Sequence, residues 1–271
     1  MSRPGAKGSQ LSDLARRLLE HGPRKTHTTS RRVRVIYNHA YVADTTKAVQ
    51  VWEHDGYPQY YFPASELKNC NLRDTETIKK DGDVLAAIAQ LTVPARDAIQ
   101  EAKTDRVIRF ADDDRLGVLR GLVRLEFGAM DQWLEEDTPI YVHPKDPFKR
   151  IDILPSTRNI EVKVAGKTVA KSTSSVHLLE TGLPTRYYLP LTSVDQTVLR
   201  KSNLMTKCPY KGEAEYYNMV VGGDEMENLV WYYRTPTHES VPIAGLVCFY
   251  NEKVDILLDG ELLERPRTQF A

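Results

Sequence analysis

The sequence predicts a mainly β protein made of two tandem β-rich domains, and three observations carry that reading. Residues 31–67 realign onto residues 158–194 without a gap, so that Val35/Val162, Val42/Val169, Ala43/Ala170, Glu53/Glu180, Tyr60/Tyr187, Tyr61/Tyr188 and Pro63/Pro190 coincide. A later block repeats as well, Gly121-Leu122-Val123 against Gly245-Leu246-Val247. The period exceeds 100 residues, which marks domain-sized copies and not solenoid units. Finally, many short segments alternate apolar and polar residues between turn signals, the pattern of an antiparallel barrel or sandwich.

Residues 1–30 lie outside both copies and read as an N-terminal helical extension. Leu11, Leu14, Ala15, Leu18 and Leu19 form an apolar stripe, Ser9 or Ser12 is the expected cap, and Gly22-Pro23 ends the helix. Eight Lys/Arg in residues 1–32 face only Asp13 and Glu20. A docked helix with a solvated basic face is the favoured reading, with a nucleic-acid arm as its rival.

The first β domain is placed at 31–137, as a degenerate copy. Within it the Ala/Ile/Leu spacing of residues 83–103, with Pro94 at a helix start, predicts a small insertion of two short helices. A proline-rich linker follows at 138–157, and its prolines fix φ and stiffen it. The second β domain, 158–271, is the candidate functional copy. Its strands are expected at Ile160/Val162/Val164, Val169-Ala170, 176–180, 186–189, 230–233, 246–250 and 254–258, separated by turns such as Asn251-Glu252 and Asp259-Gly260.

Composition narrows the function. The 271 residues carry 37 Lys+Arg against 37 Asp+Glu and are 41% hydrophobic. With no basic excess, nucleic acid is not an expected partner, nor is an acidic membrane. No apolar run approaches the ~18–20 residues of a membrane span, and residues 1–10 hold no signal-like apolar segment. Cys70, Cys208 and Cys248 form no C-x-x-C, and the seven histidines show no H-x-H or H-x-x-x-H spacing. No disulfide framework, metal or cofactor is therefore expected, and the expected setting is reduced and cytoplasmic. G-x-G-x-x-G, P-loop and G-x-S-x-G motifs are all missing from the sequence. The oligomeric state is left open.

Glu180 is the most informative residue. Alternation puts it on one face with Val176 and Leu178, and copy 1 repeats this with Val49, Val51 and Glu53. A carboxylate in phase with aliphatic neighbours sits at a strand end or is buried with a cation, since an unpaired buried charge costs several kcal/mol. Arg186, Tyr187, Tyr188 and Lys211 are the candidate partners, and copy 1 has Gln59 at the Arg186 place. A structural ion pair joining two strands is an equal reading. Lys211 beside Gly212 can approach a ligand closely, and a desolvated lysine serves as base or Schiff-base former. Cys208 has no histidine near it in sequence and reads as a plain buried thiol ahead of a nucleophile. Tyr210, with Tyr216 and Tyr217, is core or pocket lining. His143, Asp146 and Arg150 in the linker can reach a cleft between the copies, although a connector with solvated charges is the plainer reading. Glu180 and Lys211 are thus the catalytic candidates, and the other residues named are candidates for binding.

The motifs His143-Pro-Lys-Asp-Pro-Phe-Lys-Arg-Ile-Asp-Ile-Leu-Pro-Ser, Leu179-Glu-Thr-Gly-Leu-Pro-Thr-Arg-Tyr-Tyr-Leu-Pro, Cys208-Pro-Tyr-Lys-Gly, Gly245-Leu-Val-Cys-Phe-Tyr-Asn-Glu-Lys-Val-Asp and Asp259-Gly-Glu together resemble the domain-of-unknown-function family 427. The resemblance implies compact β-rich domains grouped with the β-tent folds and no agreed activity, under a family nickname of nucleotidyltransferase. The cysteine pairs of zinc-bearing β-tent relatives are missing here, as is a Gly-Ser followed by a paired-Asp metal site. Copy 1 lacks the Cys-Pro-Tyr-Lys-Gly element. The expected protein is soluble, with a pocket in the second copy for a small-molecule ligand of unknown identity. It is read as an enzyme of small-molecule or secondary metabolism in which Glu180 and Lys211 do acid–base work. The alternatives are a non-catalytic ligand-binding or protein-interaction module and a nucleotidyltransferase-like activity.

Overall fold

The strands of the second half of the chain repeat those of the first, one for one. The computed structural model describes residues 8–268, which form two compact units, Met1–Asp146 and Pro147–Ala271. Unit 1 contains α1 (Gly8–His21), β1 (Lys25–Thr28), β2 (Val33–Tyr37), β3 (Ala40–Thr45), β4 (Val49–Trp52), β5 (Gln59–Pro63), β6 (Asn71–Lys80), β7 (Asp83–Val93), β8 (Ala102–Phe110), β9 (Leu122–Leu125), β10 (Gln132–Glu135) and β11 (Thr138–Ile140). Unit 2 contains β12 (Ile151–Ser156), β13 (Ile160–Val164), β14 (Lys167–Ser172), β15 (Ser175–Glu180), β16 (Arg186–Leu189), β17 (Leu199–Cys208), β18 (Gly212–Val221), β19 (Asp224–Tyr233), β20 (Val247–Phe249), β21 (Asp255–Leu258) and β22 (Glu261–Leu262).

Each unit pairs a seven-stranded with a four-stranded sheet. The large sheets run β1-β4-β5-β9-β8-β7-β6 and β12-β15-β16-β20-β19-β18-β17, and the small ones β11-β10-β2-β3 and β14-β13-β21-β22. The large sheets match place for place and the small ones do so when the second is read from β22, and the ladders are antiparallel. The mainly β, two-copy reading of the sequence is therefore the observed architecture. A core fills the space between the two sheets of each unit. Val35, Val42, Tyr60, Phe62, Val123 and Trp133 form it in unit 1; Val162, Val169, Leu189, Val230, Val247 and Ile256 form it in unit 2. The alternation of β13 is plain in its burial, with Ile160, Val162 and Val164 inside and Glu161 and Lys163 partly exposed.

Two sequence readings are corrected. Residues 83–103 hold no helices, because Asp83–Val93 is the strand β7 and Pro94 follows it. From Leu85 to Ala89 every residue is buried, since one face meets the inter-sheet core and the other meets α1. A strand covered on both faces loses its period-2 signal, and an alanine-rich one then reads as helix. The segment 138–157, read as a linker, is strand at both ends, β11 and β12. Both lie at sheet edges, where Pro139 and Pro155 are tolerated because an edge strand need not donate every ladder hydrogen bond.

Helix α1 packs its stripe, Leu11, Ala15, Leu18 and Leu19, on Ile78, Leu85, Ile88, Ile108 and Phe110 of the large sheet. Gly22 ends it in the left-handed region, at φ 68°, with its N–H donating to the Leu18 carbonyl at 3.0 Å. Ser12, expected as a cap, sits within the helix and donates to Glu76 at 2.8 Å. Ser9, the other expected cap, also lies within the helix, and its side chain is outside the described residues. Among the described residues no helix is long and apolar enough to cross a membrane.

Candidate functional site

Strand register lines up one row of side chains across each large sheet. In unit 1 the row is Val49, Tyr61, Arg124, Ile108, Ile88. The same rungs in unit 2 carry Val176, Tyr188, Cys248, Trp231, Tyr216. Aliphatic side chains under α1 in unit 1 thus correspond to aromatic ones in unit 2, where no α-helix occurs among the described residues. Tyr188, Tyr216, Trp231, Tyr233 and Cys248 form a buried cluster there with Ile243. The Trp231 indole donates to the Tyr188 hydroxyl at 3.1 Å.

Glu53 follows β4 and Glu180 closes β15, so each glutamate stands two same-face positions beyond the row. In unit 1 the Arg124 guanidinium reaches along the row. Its Nε donates to Glu53 Oε1 at 2.5 Å and its Nη2 to Oε2 at 3.3 Å. The Tyr61 hydroxyl adds a third bond to Oε1 at 3.1 Å. Both charged side chains are 8% exposed, and Arg124 Nη1 also lies 3.6 Å from Glu126 Oε2. Unit 2 has Cys248 where Arg124 stands, so its glutamate takes cations from elsewhere. Lys211 Nζ lies 2.5 Å from Glu180 Oε2 and Lys149 Nζ 3.1 Å from Oε1. Their side chains are 12% and 20% exposed, against 5% for Glu180.

Electrostatics follow from this packing. Burial pushes the Glu180 carboxyl up, but Lys211 and Lys149 outweigh it and hold it below the ordinary carboxylate range. Burial draws Lys211 down, and the neighbouring Cys208 and Glu180 more than restore it, so its ammonium is held above the usual value. Arg186 does not reach Glu180. It forms a buried two-pronged pair with Glu252 at 2.8 and 2.7 Å, touches Asn251 Oδ1 at 3.3 Å, and lies over the Trp231 ring at 5.5 Å. Against the effect of burial, the bonds from Arg186 and Thr268 bring the Glu252 carboxyl down to about 2. Burial raises the Cys248 thiol to about 12, so it stays protonated and is a poor nucleophile.

The other candidates are divided between the two units. Tyr188 belongs to the aromatic row. Tyr187, the next residue on β16, points to the opposite face and meets His177 edge-on at 4.8 Å between ring centres. Tyr210 holds Lys149 over its ring at 5.4 Å, and its carbonyl accepts from Thr237 and Ser240 at 2.5 and 3.3 Å. Cys208 ends β17 opposite Gly212. His143 stacks on Tyr57 at 3.8 Å and Asp146 accepts from the Trp52 indole at 3.2 Å, both within unit 1. Arg150 is largely exposed and bonds Asp152 at 3.0 Å.

Lys149, Glu252 and Trp231 are the site residues that sequence reasoning missed. A signal for Lys149 exists. Ile151 pairs with Glu180 and Ile153 with Leu178, so extending the same phase backwards selects residue 149 and rejects 150. Among the described residues no group of three or more His, Cys, Asp or Glu side chains converges as metal ligands would.

Among curated proteins none matches the chain. The family model for the domain of unknown function DUF427 matches residues 25–83 and 152–260. The first match opens on β1 and closes as β7 begins, where the outer face turns aliphatic under α1. Together the two stretches cover more than half of the sequence, and the chain belongs to the DUF427 family, with two copies of its domain in tandem.

Proposed function

We propose that the second unit binds a small anionic molecule at the Glu180 cluster and that the first unit is its structural counterpart. One observation carries this reading: Glu180 holds two ammonium groups where Glu53 holds one guanidinium. The unit 2 cluster therefore has one positive charge in excess, on lysines that still touch solvent. A carboxylate or phosphate group offsets that charge, while Tyr210 offers an aromatic surface beside Lys149. In this role Glu180 positions the lysines, and Lys211 and Lys149 contact the ligand. Proton transfer fits less well. Glu180 is held low and Lys211 high, whereas an acid–base pair works best with values near the operating pH. The nucleotidyltransferase reading finds no group of three or more converging His, Cys, Asp or Glu side chains among the described residues to support it.

The test starts with native mass spectrometry of the purified chain, followed by titration with benzoate and with phosphate as probe anions. Lys211→Met and Lys149→Met are each expected to abolish retention or weaken probe binding by tenfold or more, of the order expected for a charged hydrogen bond. Glu53→Gln is expected to leave binding intact. Binding that survives both lysine substitutions overturns the proposal. Substrate turnover lost in Glu180→Gln with binding retained would instead restore the acid–base reading.

A further inference from the structure

The other face of β16 carries a second difference between the units, independent of the Glu180 cluster. The matching positions follow from register. Trp133 and Ile256 stand opposite Val35 and Val162. Pro139 and Leu262 stand opposite Leu134 and Leu257, so His143 and Pro266 correspond by count, four residues on, beyond strands whose continuations differ at Val142, which stands at φ 70°. Phe127 and Asn251 each lie two residues beyond a matched rung, Leu125–Val107 and Phe249–Val230. The ungapped repeat matches Tyr57 with Pro184.

In unit 1 these four positions are rings that stack in two pairs. Tyr57 and His143 stack at 3.8 Å with 9° between planes, and Phe127 and Trp133 stack at 4.9 Å with 6°. Unit 2 has Pro184, Pro266, Asn251 and Ile256 instead, and these line a half-open cavity of about 230 Å³. Smaller side chains in place of rings leave a void unless the walls collapse. Here the walls are tied. The Leu263 N–H donates to the Ile256 carbonyl at 2.8 Å, Arg265 bonds Asp255 at 3.0 Å, and Thr268 bonds Glu252 at 2.5 Å. On the far side Asn251 Nδ2 donates to the Thr185 carbonyl at 2.9 Å. The C-terminal segment and the turn before β16 are thus held apart by hydrogen bonds.

We propose that this cavity is a binding site for a planar aromatic ring system, which takes the place of the rings that unit 1 supplies from its own side chains. A cavity of about 150 Å³ accepts benzene, so about 230 Å³ accommodates a bicyclic ring of indole size. Val254, Ile256, Leu263 and the two prolines give the cavity an apolar lining, and Tyr187 adds an aromatic wall. Glu264 stands exposed at the rim, which favours a cationic substituent over an anionic one.

The experiment is an NMR titration of the full chain with indole, tryptamine and indole-3-acetate. Saturable shifts are expected at residues 184–187 and 251–266, with tryptamine about threefold tighter than indole-3-acetate, as suits one exposed charge pair. Ile256→Trp is expected to fill the space and abolish the response. The double variant Pro184→Tyr with Pro266→His rebuilds the unit 1 stack at the rim and gives the same readout should the first variant misfold. A cooperative thermal transition identifies the folded variants. No saturable response to any of the three probes overturns the proposal. So does a response unchanged in the folded, filled variants, or one that maps to the Trp231 face.

Discussion

The two units share strand order and register and put opposite chemistry on equivalent rungs. Unit 1 closes its buried glutamate with an arginine from its own row and covers the aliphatic rungs with α1. Unit 2 has a cysteine at the arginine's place, draws two lysines from chain segments outside the row, and lines the same rungs with aromatic residues. Once Cys248 stands at the arginine's position the carboxylate cannot remain buried alone, because desolvating an unpaired charge is too costly. The comparison teaches that a duplicated backbone tolerates a change of buried partner only when another cation arrives at the same oxygens.

The sharpest way to break this comparison is to neutralise both glutamates. Glu53→Gln leaves the buried Arg124 with only the more distant Glu126, at 3.6 Å, as counter-charge and should destabilise unit 1 by about 3 kcal/mol. Glu180→Gln should cost unit 2 less, about 1–2 kcal/mol, because flexible lysines can swing their ammonium groups into water. Denaturant titration followed by hydrogen exchange in each unit separates the two; equal losses would mean that both pairs are closed. Next in size is the helix. Leu18→Ala removes a buried side chain from the α1 contact and should cost about 2–4 kcal/mol. Faster exchange is expected in β6, β7 and β8 and not in β17, β18 and β19. Exchange that rises in both sheets would show that the helix supports more than unit 1.

A smaller effect should appear with acid. The Glu252 carboxyl is held at about 2 in the folded chain, against about 4.3 when unfolded. A depressed folded value contributes its full stability above the unfolded one and loses it as pH falls toward the folded one. Unit 2 should therefore weaken between about pH 4 and pH 2. Glu252→Gln should flatten that part of the profile, measured as urea midpoint against pH. Smallest of all, Arg150→Ala should change stability by no more than about 0.5 kcal/mol, since it removes an exposed pair. Lys149→Ala should exceed it and should raise the Glu180 titration midpoint. Matching effects from the neighbouring residues would refute the phase argument that separates them.

Much of this was readable in the chain. The period-2 strands β13, β15 and β16, the apolar stripe of α1 and the pairing of Glu53 with Glu180 all follow from local spacing. Other parts were hidden for physical reasons. β7 is covered on both faces and lost its alternation. β17 has Ser202, Thr206 and Cys208 among its less exposed positions, so it shows no hydrophobic beat. Lys211 stands among the candidate partners of Glu180, and strand phase points to Lys149, but Glu252 lies far from Arg186 in sequence and no spacing rule brings the two together. The cavity is legible only after register has matched Trp133 with Ile256, because it is a difference between two packings and not a motif.

The edges of the large sheets have a consequence for how such a chain is made. β6 and β17 are both ten residues long and each has one side of its backbone unpaired within its sheet. During synthesis or partial unfolding, two homologous strands on one chain meet at a high effective concentration, which favours joining across copies. β6 exposes Arg73, Asp74, Glu76, Lys79 and Lys80, and β17 exposes Arg200, Lys201 and Lys207. Both ladders are also broken by register shifts. Charges and bulges of this kind make an edge a poor template. The tandem arrangement is therefore protected against pairing with itself at the strands where such mispairing would begin.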